Sequence, residues 1–345
     1  MTEERTGPSP STGKAQDRAL ATGQDLANYQ PYRQTYKRGA AMPGQRRYGM
    51  DHEHYDWSPL PTRGILRWPG NARLALCVIV NLEHMEWHPP EGSITTVLAG
   101  GIDPRPFPDF PRLTHREYGH RVGIFRVLDA LEKHGFKATV AMDATTAENY
   151  PYLVRHCLER GCEIIGHGIS VSRMITGQMP EEEERRYIRT SMEALKQATG
   201  KVPAGWLGPE YGESPRTPQL LAQAGIGYVC DWGNDEQPYP MNSDAGELFA
   251  LPIMVDLDDV QALWTRHVPI DRYGESLKEC FDTMYRDGEQ SGRVLTLNLH
   301  PWLIGQPFRI GYLDDALGYM TRRQGVWSAT GSQIIDWYRR NPPGA

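Results

Sequence analysis

The sequence of 345 residues lacks most of the features that mark secreted, membrane-spanning or nucleic-acid-binding proteins. It has five cysteines, an odd number, and no CxxC pair, so neither a disulfide framework nor a zinc ribbon is expected and a reducing cytoplasm suits it. No run of about 18 apolar residues predicts a membrane span, and the first residues lack the apolar core of a signal peptide. The formal net charge is −6, and no Lys/Arg-rich tract predicts nucleic acid as a partner.

The first part of the chain differs in composition from the rest. Residues 1–48 are polar and show neither helical nor strand periodicity, so we expect a disordered arm, or one that wraps a partner subunit. The aromatic and proline-rich segment "YDWSPLPTRGILRWPG" follows, and the two features together suggest a homo-oligomer. Residues 49–343 are expected to form one domain.

Strand and helix patterns alternate through this domain. Apolar segments such as "RLALCVIVN", "FKATVAMD" and "CEIIGHG" predict buried strands, and "PEEEERRYIRTSMEALKQATG" predicts a helix with acids in its first turn and glycine after its end. Seven or eight repeats of this alternation predict an α/β fold with a parallel sheet, either a (β/α) barrel or a doubly wound open sheet. No GxGxxG or GxxxxGK[ST] motif follows the first strand, so nucleotide binding has no support.

Ionisable residues collect where the predicted strands end, which is where parallel barrels carry their active sites. His167 and His300 each end an apolar run and are not turn formers, so a functional role is favoured over a buried structural histidine. The acidic group of Asp256, Asp258 and Asp259 is interpreted instead as a solvated turn. The remaining candidates at strand ends are Glu83, His84, Glu210, Asn234 and Asp235.

Several ordered segments give the chain a family resemblance. They are "RWPGNARLALCVIVNLEH", "KATVAMD", "CEIIGHG", "GWLGPEYGESPRTPQLLAQAGIGYVCDWGNDEQPY" and "LTLNLHPWLIGQPFRIGYLDDALGYM". In this order the chain resembles the polysaccharide deacetylase superfamily (the NodB-homology, carbohydrate esterase family 4 fold) over about residues 50–340. Within it, the chain is most similar to the branch of allantoinases and cyclic imide hydrolases. The resemblance implies a distorted (β/α)7 barrel.

The chain departs from the pattern of the metal-dependent members. The resemblance puts Glu83 at the position of the catalytic base and His84 at the position of a metal ligand. Val171 stands where the second histidine of HxxxH belongs, and Leu207 replaces the arginine that steadies the base. Zinc sites of this kind need three protein ligands, so we expect no metal, although Glu83, His84 and His167 remain the candidate set for a rebuilt zinc site.

The resemblance, taken with these residues, implies a hydrolase of a non-peptide C–N bond in a small, cyclic amide, imide or ureide. Glu83, with its pKa raised by the pocket, is predicted to be the general base on water. His167 and His84 would orient the water or the substrate, and a protonated His300 would stabilise the oxyanion.

Other residues are predicted to bind the substrate. Asn234 and Asp235 would hold its amide N–H groups, Trp232 and Trp302 would wall the pocket, and Glu210 would lie at its edge. Two alternatives remain open at this point. One is a zinc-dependent N-deacetylase of an amino sugar or another N-acyl compound, and the other is a barrel that binds a small ligand without catalysis.

Overall fold

The computed structural model describes residues 52–91 and 108–343. The predicted arm of residues 1–48 lies outside the described residues, and its boundary stays a prediction. Within the described part of the chain, no helix is both long enough and apolar enough to cross a membrane.

One nine-stranded sheet organises the described residues, with the order β6-β7-β5-β4-β3-β2-β1-β8 and β9 also paired with β1. All pairings are parallel except that of β6 with β7. The sheet and its helices form the distorted (β/α) barrel that was predicted. The strands are β1 Leu74–Leu82, β2 Thr139–Met142, β3 Glu163–Gly166, β4 Gly205–Trp206, β5 Tyr228–Val229, β6 Tyr239–Met241, β7 Leu248–Ala250, β8 Arg293–Leu299 and β9 Val326–Ser328.

Helices connect most of the strands, as the alternation predicted. They are α1 Phe110–Tyr118, α2 Ile124–Lys133, α3 Ala144–Asn149, α4 Pro151–Glu159, α5 Glu181–Thr199, α6 Thr217–Gln223, α7 Ile270–Asp287, α8 Pro301–Ile304, α9 Ile310–Thr321 and α10 Gly331–Arg340. A π-helical turn, Gly119–Gly123, joins α1 to α2. A Cβ on Gly123 would lie 2.0 Å from the carbonyl oxygen of Pro301, so glycine lets this turn pack directly against α8.

Strand β1 is buried along its whole length because both faces of the sheet are covered. Side chains of successive strand residues point to opposite faces. Leu76 and Val78 pack into the core under the helices, whereas Cys77 and Ile79 pack into the core inside the barrel. This alternation decides which strand-end residues face the barrel interior.

Candidate active site

A polar pocket lies at the carboxyl ends of the strands and has an empty volume of about 300 Å³. The alternation along β1 and β8 continues past the last strand residues, so the side chains on the inner face of the barrel meet there. Three of the predicted catalytic residues line this pocket together with Glu210: Glu83 after β1, His167 after β3 and His300 after β8.

Glu83 forms a buried ion pair that the sequence did not predict. Arg116 Nη1, from α1, donates to Glu83 Oε1, and both side chains are 3 % exposed. The guanidinium also lies 4.4 Å from the ring centroid of Trp302, which fixes it from the other side. Burial opposes the charge of Glu83, but Arg116 and His167 outweigh burial and hold the pKa of Glu83 well below its usual range. The predicted raised pKa of Glu83 is therefore wrong.

Glu210 provides a second carboxylate beside the same guanidinium. Its Oε1 lies 3.6 Å from Arg116 Nη2, and its side chain is 24 % exposed. Burial raises the pKa of Glu210, and the nearby charge of Glu83 adds to this effect against the opposing charge of Arg116. Its backbone φ of 53° lies in the left-handed region, which is uncommon for a residue other than glycine. The two pocket carboxylates thus differ in the direction of their pKa shifts.

His167 is held by a hydrogen bond to the backbone of Leu207 and faces Glu83. Its Nδ1 lies 2.6 Å from the carbonyl oxygen of Leu207, and since a carbonyl only accepts, Nδ1 carries the proton. Its Nε2 lies 3.4 Å from Glu83 Oε2. Burial would lower the pKa of His167, but the carboxylate of Glu83 more than offsets this and raises it. Leu207, which replaces an arginine of the family pattern, thus orients His167 through its backbone.

His300 is held by two buried acids. Its Nδ1 lies 2.7 Å from Asp259 Oδ1, and its backbone N–H donates to the same carboxylate. Burial alone would lower the pKa of His300, but the charges of Asp259 and Asp258 raise it to about 9. The interpretation of Asp258 and Asp259 as a solvated turn is wrong, since they are 1 % and 0 % exposed.

A hydrogen-bonded network forms the floor of the pocket. Asn81 Nδ2 donates to Asn298 Oδ1 at 2.7 Å, and Asn298 Nδ2 donates to Asp258 Oδ2 at 2.7 Å. The hydroxyl of Tyr211 also donates to this oxygen. Because these groups bond one another, their remaining atoms have fixed directions toward the pocket.

Two predicted site residues lie next to this pocket and do not line it. His84 follows Glu83 by one residue, so its side chain points to the other face, where Nδ1 lies 3.4 Å from the hydroxyl of Tyr150. Trp302 is 2 % exposed and packs against Arg116. It therefore positions the guanidinium and does not wall the pocket as predicted.

Three further predicted residues lie elsewhere. Asp235 forms an ion pair with Arg63, and its Oδ1 lies 2.8 Å from Arg63 Nη1. Asn234 bonds the hydroxyl of Tyr55 at 2.8 Å. The ring of Trp232 packs edge-on against Tyr55, with 5.7 Å between the centroids. Asn234 and Asp235 line a separate surface pocket, so the structure does not bring these three residues to Glu83.

The candidate zinc ligands do not fit a divalent cation. Arg116 places a positive charge next to Glu83, and this charge would repel a metal ion at the Glu83 carboxylate. His84 faces away, and Val171 is a buried apolar residue at the position of the missing histidine. This leaves His167 Nε2, and one nitrogen does not hold zinc.

A different acidic group comes closer to a metal geometry. Within residues 52–91 and 108–343, Asp258, Asp259 and His300 are the one group of three or more His, Cys, Asp or Glu residues whose ligand atoms lie within 4.8 Å of one another. Hydrogen bonds from Tyr211 and Asn298 to Asp258, and the contact of Asp259 with His300, already engage these atoms. The two aspartates therefore support His300, and their oxygens are not free to bind a metal ion.

Comparison with known proteins agrees with this fold. Residues 117–229 match the sequence profile of the family described as Polysaccharide deacetylase. A putative polysaccharide deacetylase of Schizosaccharomyces pombe is 27 % identical over 303 residues, which cover 80 % of this chain and 93 % of the relative.

Two solved structures are similar over most of the chain. Puue allantoinase superposes with a TM-score of 0.76 at 26 % identity and covers 87 % of this chain and 100 % of its own. A probable polysaccharide deacetylase from Pseudomonas aeruginosa PAO1 has a TM-score of 0.71 at 26 % identity, with 81 % and 95 % covered. Deacetylases and allantoinases hydrolyse non-peptide C–N bonds, so the predicted enzyme class is confirmed. Residues 117–229 are thus similar to the polysaccharide deacetylase family, and the similarity to individual deacetylases extends over most of the chain.

Proposed function

We propose that this chain hydrolyses a C–N bond of a small cyclic amide, imide or ureide without a metal ion. The observation that carries the proposal is the contact of Arg116 with two carboxylates, Glu83 and Glu210, in a pocket that also contains His300. Two acids whose pKa values are shifted in opposite directions provide one stable anion and one base.

Glu210 is the general base in this proposal. A base is most effective when its pKa lies near the working pH, and Glu210 is the pocket carboxylate that meets this condition better, since its pKa is raised. It accepts a proton from the attacking water, and the same proton then passes to the leaving nitrogen as the C–N bond breaks. Glu83 stays ionised and holds Arg116 and His167 in place.

His300 stabilises the tetrahedral intermediate. Its Nδ1 is engaged with Asp259, so Nε2 is the nitrogen left to face the substrate. Because its pKa is raised to about 9, the imidazole is a cation at neutral pH and donates to the developing oxyanion. A preorganised cation of this kind provides the electrostatic stabilisation that a metal would otherwise supply.

A cyclic substrate fits these features best. The pocket is lined mostly by polar side chains, which can bond the N–H and C=O groups of a small ring. The similarity to Puue allantoinase supports the ureide class. The relatives named as deacetylases favour the alternative, a zinc-dependent N-deacetylase, but the ion pair of Glu83 with Arg116 disagrees with it.

The test is turnover of cyclic ureides, cyclic imides and N-acetylated sugars by the purified protein, with and without a strong chelator. We expect ring opening that the chelator leaves unchanged. Stoichiometric zinc by elemental analysis, with activity lost on chelation, would establish the deacetylase alternative instead. Binding of the ring compounds with no turnover would identify a non-catalytic barrel.

We also propose that the enzyme works in the cytoplasm as a homo-oligomer and binds neither nucleic acid nor membrane. Support comes from the segment that follows the arm, where Trp57 and Ile65 are 57 % and 67 % exposed. Large apolar side chains at such exposure are suited to a subunit contact. Size-exclusion chromatography with light scattering tests the assembly, and a monomer at micromolar concentration would contradict it.

A further inference from the structure

We infer that Gln261 binds the edge of a cis amide, so that the pocket selects cyclic ureides whose ring nitrogens are unsubstituted. This inference rests on the proposed function and narrows its substrate class. It follows from the hydrogen-bonding groups of the pocket that have no partner within the described residues.

Gln261 presents a free carboxamide at the pocket. Its backbone is fixed, because its N–H donates to Asp258 Oδ1 at 2.9 Å and its carbonyl accepts from the backbone N–H of Arg266 at 3.0 Å. No hydrogen bond of its side chain to a described residue is present, although the residue lines the pocket and is half-buried. One donor and one acceptor, side by side, are therefore left for a ligand.

Asn81 adds a single acceptor on the pocket floor. Its Nδ2 donates to Asn298 Oδ1 at 2.7 Å and to the carbonyl of Leu299 at 3.2 Å, which uses both of its protons. Its Oδ1 has no hydrogen-bonding partner among the described residues, although the residue is only 2 % exposed. This leaves one acceptor on the pocket floor that is available to a ligand N–H.

This set of groups distinguishes cyclic from open-chain amides. In a ring the amide is cis, so its N–H and C=O lie on the same edge and can form two parallel hydrogen bonds with one carboxamide. An open-chain secondary amide is trans, and its N–H and C=O point in opposite directions. Gln261 therefore matches the ring edge, and Asn81 Oδ1 matches the second N–H, which a ureide ring has and a simple cyclic imide lacks.

The experiment compares hydantoin with 1,3-dimethylhydantoin, which has the same ring and carbonyls but no N–H. Binding is measured by calorimetry for the wild type, Gln261→Leu, the isosteric Gln261→Glu, and the control Gln290→Leu at an exposed glutamine. We expect the wild type and the control to bind hydantoin at least about 10-fold more tightly than its dimethyl derivative. Both Gln261 variants should weaken this preference by at least about threefold, because the paired donor and acceptor are lost and only the contact of Asn81 Oδ1 with the second N–H remains.

Each result separates the inference from the proposed function. A preference that is as large in both Gln261 variants as in the wild type, or that is absent from the wild type, would overturn the role of Gln261. Discrimination by the wild type without any ring opening would leave this inference standing and refute the hydrolase. No binding of either ring would overturn both.

Discussion

Replacement of Arg116 by methionine tests whether the ion pair with Glu83 organises the site. Methionine preserves most of the apolar contact with Trp302 and removes the charge. The variant leaves a carboxylate that is 3 % exposed without its counter-charge. Breaking a buried pair in this way costs about 3–5 kcal/mol, because the remaining charge stays desolvated. With a urea m-value of about 3 kcal/mol/M, the unfolding midpoint should fall by about 1–2 M at pH 7.

The pH dependence of this loss carries the sharper information. In the wild type the folded pKa of Glu83 is lowered, so its ion pair contributes stability above the unfolded pKa, and that stability is lost as the pH falls. Without Arg116, burial should raise the pKa of Glu83, so the variant is penalised above the unfolded pKa and relieved by protonation in acid. The difference in unfolding free energy between Arg116→Met and the wild type should therefore shrink from pH 7 to pH 4.

The assay is urea unfolding followed by tryptophan fluorescence and circular dichroism, whose coincidence establishes a two-state transition. Arg189→Met is the matched control, because this arginine is 61 % exposed in an ion pair with Glu193 and should change stability by less than about 0.5 kcal/mol. The double variant with Glu83→Gln should recover part of the loss. A midpoint equal to that of the control, or a loss that is independent of pH, would refute the reasoning.

Three further predictions concern the pocket and its support. Since His300 has a pKa raised to about 9 and acts as a cation, kcat/KM should fall as the pH rises through that value. Asp259→Asn should move this fall in kcat/KM to lower pH, and a fall that does not move would contradict the role of the cation. Glu210→Gln should lower kcat by roughly 10²–10⁴-fold in steady-state assays, and a full kcat would return the base role to the carboxylate after β1. Gly168→Ala should destabilise the protein by about 2–5 kcal/mol in urea unfolding, because the position has φ +67° and the added methyl would lie 2.1 Å from a tyrosine hydroxyl. Gly200→Ala is the control, since this position has φ +75° but open space around it, and it should cost about 1 kcal/mol. Equal losses in the two variants would contradict the packing argument.

Most of the fold was predictable from local patterns, because its strands and helices have clear apolar periods. The segment "CEIIGHG" contains strand β3, as predicted, and the polar residue that follows this strand, His167, lines the pocket. Strand β6, Tyr239–Met241, was not predicted, because it is three residues long and its central residue is Pro240. Helix α1 begins at Phe110, where proline at the next position suits the first turn.

The candidate site was harder to predict from the sequence wherever the position of a residue depends on the direction of its side chain or on contacts with residues distant in the chain. Because strand side chains alternate, Glu83 and His84 cannot both enter the pocket, and this could have been deduced from the geometry of a strand alone. Asn234 and Asp235 follow β5, but the chain there contacts Arg63, which no local pattern indicates. Arg116 lies in the last turn of α1 and meets Glu83 across 33 positions, so only the folded structure could identify the pair.

The absence of a family motif therefore does not mean that its chemistry is absent. The family pattern has an arginine beside the base, and the sequence has Leu207 at that position, where the backbone carbonyl accepts from His167. The positive charge comes instead from Arg116 on α1, which approaches Glu83 from another side and is packed against Trp302. A guanidinium at this place stabilises the carboxylate and opposes a divalent cation in the same way. The buried Val171 at the place of the missing histidine and the guanidinium of Arg116 beside Glu83 thus both weigh against a divalent cation at this carboxylate.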